Sequence, residues 1–95
     1  MAQDLAALGR YQQAENKMET AFSKRHERAS ALQFLAGTVA THTPTIGGVV
    51  TRFDLKQAQK ILAEMARLEE EIASALMVMN ANASKCGKPI MRLSD

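Results

Sequence analysis

Ninety-five residues with a net charge of +2 are the size of one small domain, and the balance is too weak and too interspersed to point to nucleic acid by itself. Hydrophobic residues make up 46%, enough for a globular core, but aromatics only 4% and Trp is absent, so core volume has to come from Ala, Leu, Ile and Met. That palette suits close-packed helices better than a sheet sandwich, which draws on aromatic and β-branched side chains.

The N-terminal segment predicts a helix over about residues 3–36, with Gly37 as a natural stop. Its pattern is weak. Ala7, Ala14 and Ala21 share one heptad position, and small side chains there let helix backbones approach closely. Tyr11, Met18, Arg25 and Leu32 share the other, where Arg25 breaks the apolar seam; Leu8, Phe22 and Ala29 form a parallel stripe beside it. From Ala29 to Ala36 the run ASALQFLA is apolar on nearly every side, which predicts burial against more than one neighbour.

Residues 37–53 are too many for a plain joint between two antiparallel helices, which needs two to eight. The stretches TVATHT (38–43) and GVVTRF (48–53) alternate in strand fashion, and PTIG (44–47) between them carries turn residues. A short β-hairpin, or an extended loop, is expected at this tip. Thr41, His42, Thr43, Thr45, Ile46, Val49 and Arg52 are its candidate contact residues, because a connection longer than the joint requires is the natural place for contact.

The second helix, 54–83, is the clearest element. Asp54 can cap it, and Gln57 completes a capping-box-like pair. Ala58, Ile61, Met65, Leu68, Ile72, Ala75 and Met79 then recur at alternating steps of three and four, the seam of a coiled coil. Leu55, Leu62 and Leu76 widen it to a stripe that suits a helix touching two neighbours, as in a helical bundle. Met65 and Met79 read as core, and Met77 lies off the stripe as a contact candidate. The opposite face holds Lys60–Glu64 and Arg67–Glu71, spaced to pair one turn apart. Fraying is expected from about Asn80 to Ser84. The tail, 84–95, is basic through Lys85, Lys88 and Arg92, with apolar Ile90, Met91 and Leu93. It reads as a free tail, or as a segment that docks on the bundle, on a sheet edge or on a partner.

At 1.5 Å per residue the helices reach roughly 50 Å and 43 Å. One antiparallel hairpin leaves much of each stripe in water, and two hairpins packed as a homodimer bury both. The fold class is therefore mainly α: a long antiparallel helical hairpin completing a bundle by self-association, with the Ala58–Met79 seam as its self-association surface. A heterologous protein could cover the same surface.

Catalytic patterns do not assemble. His26, His42 and Cys86 lie in three different segments, without the Cys-x-x-Cys or His-x-x-x-His spacing of a zinc site. Consecutive Glu69, Glu70 and Glu71 point around a helix. IGGV (46–49) lacks the Gly-Lys-Ser/Thr of a phosphate loop. No enzyme activity and no cofactor is expected. The lone Cys86 allows no internal disulfide, so a reducing, cytoplasmic compartment is the expectation. The longest strictly apolar run, Ala75 to Met79, is far short of a membrane span, and the N-terminal residues hold no apolar run of signal-peptide length. Asn82-Ala83-Ser84 matches a glycosylation sequon, which matters only in a secreted chain.

Two functional readings follow. The first is a non-enzymatic protein–protein interaction or assembly module, with a rigid stalk and variable contacts at tip and tail. The second is a small nucleic-acid-binding regulator using a basic face of the first helix, Lys17, Lys24, Arg25 and Arg28. Glu27 interrupts that face and no aromatics interleave it, so a solvated face pairing with the acidic second helix is the plainer interpretation. The helix–strand–strand–helix layout with a basic tail, and the fragments VAT (39–41) and DLK (54–56), resembles in outline the phage head–tail joining proteins, although the first helix here is much longer. The resemblance implies a phage-type assembly role. An inhibitor of another macromolecule would present the same generic features.

Overall fold

A computed structural model describes residues 4–40 and 45–94. The chain is mainly helical: α1 (Leu5–Gly37) and α2 (Leu55–Ala83) run antiparallel and pack along their length, joined by strands β1 (Thr45–Ile46) and β2 (Val49–Val50) and followed by a 3₁₀ turn, Ser84–Cys86. The result is a rod of 72 × 19 × 17 Å. The hairpin end is called the tip below, and the end holding the 3₁₀ turn the base.

Both helices start on an aspartate. The Asp4 carboxylate accepts from the Ala7 N–H at 3.0 Å, and that of Asp54 from the Gln57 N–H at 3.0 Å. Each satisfies a backbone donor that has no partner within the first turn. Asp54→Ala should cost about 1 kcal/mol and lower the midpoint of a circular-dichroism melt by about 4–8 °C.

The core follows the heptads. At the base, Tyr11, Ala14, Met79, Ala83 and Cys86 form one buried cluster, with Leu8 and Met18 packed against it. Ala21, Leu68 and Ile72 form a second, also touched by Met18. Alanines at one seam position of α1 leave room for the long side chains of α2, as their spacing predicts. Burial pushes the Tyr11 phenol above its ordinary pKa, helped by the nearby Glu15 and Cys86. Of the α2 seam, Ala58, Ile61, Leu68, Ile72, Ala75 and Met79 are buried and Met65 is half-buried. The cover comes from α1 of the same chain, so this seam is used up inside the hairpin. It is not open to a second chain.

The tip differs from expectation in register. Thr38 still has helical backbone angles, and its N–H bonds back to α1 carbonyls, so 38–40 continue the helix end and do not begin a strand. The turn is Gly47-Gly48, not Pro44 to Gly47. Thr45 pairs with Val50 and Ile46 with Val49. Gly47 and Gly48 take φ of 58° and 80°, the two successive positive values of a type I′ turn, which matches the twist of the strands and is open to glycine at little cost.

The end of α2 does not fray. The Asn82 side chain is buried: its Oδ1 accepts from Arg10 Nε at 2.8 Å and its Nδ2 donates to the Val78 carbonyl at 2.8 Å. The sequon at Asn82 is therefore closed to a glycan in the folded chain. Gly87 (φ 72°) turns the backbone left-handed, and the Lys88 N–H returns to the Ala83 carbonyl at 2.9 Å. The tail then folds back. Asn80 Nδ2 donates to the Met91 carbonyl at 2.7 Å while Asn80 Oδ1 accepts from the Met91 N–H at 3.1 Å, so the side-chain amide stands in for a strand partner. The Lys88 ammonium lies 5.9 Å from the centre of the Tyr11 ring.

Candidate functional site

Helical spacing gives the rod two unlike sides. Beside the seam, Arg10, Lys17 and Lys24 of α1 share a side with Glu64, Glu71 and Val78 of α2. An open groove of about 1020 Å³ runs there, with Arg10, Lys17, Arg67, Glu70, Glu71 and Ser74 among its lining residues. Its charges are mixed. Arg10 is held by Asn82, and Arg67 lies 4.0 Å from Glu71.

The other side carries the stripe Leu8, Phe22, Ala29 and Ala36 on α1 and Leu55, Leu62, Glu69 and Leu76 on α2. The ion pair Arg25–Glu69, at 2.8 Å, bridges the helices on this side, and the Arg25 guanidinium stacks 5.1 Å from the centre of the Phe22 ring. Along the α2 stripe the exposure changes sharply. Leu76 is 7% exposed, near the fold-back of the tail on Asn80, whereas Leu62 is 51% and Leu55 59% exposed. On α1 no described residue after Ala21 is buried; Leu32 and Leu35 are only half-covered, and Ala29 and Ala36 are exposed. The apolar run 29–36 thus finds no second neighbour among the described residues. The tip half of this side is an uncovered face on which Phe22, Ala29, Ala36, Leu55 and Leu62 alternate with His26, Gln33 and Gln59.

Arg25 and Arg28 stand at seam positions where apolar residues would be expected, because each reaches a glutamate of α2. Arg28 is 3.6 Å from Glu64, which therefore turns across the hairpin instead of back to Lys60. Two of the four cations considered for nucleic acid are thus paired with carboxylates, while Lys17 and Lys24 are exposed. The structure does not present the four as one phosphate-tracking patch. Exposed pairs of this kind contribute about 0.2–1 kcal/mol each and weaken in salt.

Of the tip residues, Thr41, His42 and Thr43 lie outside the described residues. Thr45 and Ile46 form β1, and Val49 and Arg52 are exposed, as are Val50 and Phe53. Cys86 is buried at the base, its thiol donating to the Asn82 carbonyl at 3.3 Å. His26 is exposed and lies twelve residues, about 18 Å, beyond Ala14 along α1, so it does not meet the thiol that packs with Ala14. No cluster of three or more potential metal ligands occurs among the described residues, and no described helix is long and apolar enough to cross a membrane.

Comparison with known proteins returns no match to the chain, whether to a protein family, to a curated protein or to a solved structure.

Proposed function

We propose that the chain is a protein–protein interaction or assembly module without enzymatic chemistry. The observation that supports this is the uncovered apolar surface of a two-helix rod: Leu55, Leu62 and the tip residues Val49 and Val50 are each more than half exposed, although α2 carries a stripe wide enough for two neighbours. Exposed apolar faces of this extent mark interaction sites. The base, where the Asn82 and Asn80 hydrogen bonds tie Arg10 and the tail to α2, serves as the rigid end, and the tip half as the contact end. A structural role in a phage-type particle, or inhibition of another macromolecule, fits this layout. Nucleic-acid binding is the weaker alternative, because Arg25 and Arg28 already face glutamates.

Light scattering on the purified chain, combined with affinity capture from its native host, tests the reading. Assembly or specific capture of a protein is expected, and replacing 41–50 by a Gly-Ser linker separates contacts at the tip from contacts along the helices. A well-folded monomer of 10.4 kDa that retains no protein would contradict it.

A further inference from the structure

Building on the assembly reading, we infer that the occupant of the uncovered face is a second copy of this chain, packed tip half to tip half so that four helices enclose Phe22, Ala29, Leu55, Leu62, Ala66 and Ala73. Three observations carry this.

The first is size. The face spans Leu55 to Ala73 on α2, about 27 Å at 1.5 Å per residue, and the rod is about 19 Å wide. Each copy then offers at most about 500 Å², so a pair buries up to about 1,000 Å² before the tip hairpins are added, the least that a specific contact has to clear.

The second is charge. The opposite side of the rod is studded with Arg10, Lys17, Lys24, Glu64, Glu70 and Glu71. On the tip half of this face Arg25 and Glu69 neutralise each other across 2.8 Å, and the exposed His26 lies between Phe22 and Ala29. An identical surface can approach it without like-charge repulsion. A strongly charged partner would gain nothing here.

The third is the boundary. The burial of Leu76 begins where the tail folds back onto Asn80, and Glu15 and Glu19 lie on the base half of the same side. Two copies overlapped along their full length with their bases at the same end would bring those carboxylates together. Overlap confined to the tip halves avoids it. Alanines at 29, 66 and 73 leave the backbones free to come close, as in tightly packed bundles.

Sedimentation equilibrium across the micromolar range tests this on the full chain, comparing wild type, Leu55→Gln/Leu62→Gln, Phe22→Gln and Met77→Gln. Met77 is 73% exposed on the outer side of α2 and serves as control. Wild type and Met77→Gln should sediment as dimers. The double leucine variant, with helicity retained by circular dichroism, should raise the dissociation constant at least about tenfold. If that variant loses helicity, Phe22→Gln, on the other helix, carries the test and should weaken the dimer in the same direction. A wild type that stays a folded monomer overturns the inference, although protein capture abolished by the leucine changes would leave the assembly reading standing. A dimer that none of these residues weakens also overturns it, by moving self-association to another face.

Discussion

Met79→Ala should lower the thermal midpoint of the hairpin by at least about 10 °C. The Met79 side chain is fully buried, at the centre of the base cluster with Tyr11, Ala14, Ala83 and Cys86. Truncating a buried methionine removes its transfer free energy and leaves a cavity that two helices can only partly close, a cost of about 2–5 kcal/mol. A small domain has only about 5–15 kcal/mol in total, and each kcal/mol moves the midpoint by about 4–8 °C at this length. Met77→Ala, two residues away but on the outer side, should shift stability by less than about 0.5 kcal/mol. The comparison has to be made at one protein concentration, because the proposed self-association would make the midpoint concentration-dependent. Equal shifts for the two variants would mean that the base is not held by this cluster.

The second large effect is expected from adding volume. Ala21 is 1% exposed against Leu68 and Ile72, at the level where α1 changes from buried to uncovered. Ala21→Leu should destabilise by about 1–3 kcal/mol, because the helices have to separate to admit the added carbons. Leu68→Ala alone should cost about 2–5 kcal/mol as a cavity. Combined, the two changes exchange volume across the same contact. The double variant should then be more stable than the sum of the single losses predicts, with a coupling of about 0.5–3 kcal/mol read by chemical denaturation. Strict additivity would place Ala21 and Leu68 out of contact.

Much of this architecture is legible in the sequence because the decisive signals are local. Asp54 and Gln57 mark the start of α2, and alternating steps of three and four from Ala58 to Met79 fix its buried side. The alanines at 7, 14 and 21 foretell a close approach, and the parallel stripes Leu8–Phe22–Ala29 and Leu55–Leu62–Leu76 foretell a second apolar side. What the pattern does not say is which surface the hairpin itself consumes. Folding back spends the central seam on α1, and only geometry shows that the two flanking stripes then lie on one side of the rod.

The tip departs in register from its sequence pattern because Pro44 is a strong turn residue by composition, whereas the twist of two paired strands favours two successive positive-φ residues, which Gly47-Gly48 supplies. Asn80 and Asn82 look like residues that loosen a helix end. Their roles as a strand surrogate for Met91 and an acceptor for Arg10 depend on chain segments that meet only after the fold-back. Arg25 and Arg28 look basic in isolation; the antiparallel pairing puts Glu69 and Glu64 within their reach. Cys86, for its part, is an interior side chain at the base, with the packing role of a small hydrophobe.

Small-angle X-ray scattering of the wild-type chain at tens of micromolar reports mass and shape together, and so tests the claim that the uncovered tip face takes a second copy. Twice the 10.4 kDa chain mass is expected, with a particle thicker across the overlap than the 19 × 17 Å section of one rod. A scattering mass of one chain, with the cross-section of a single folded hairpin, would contradict it.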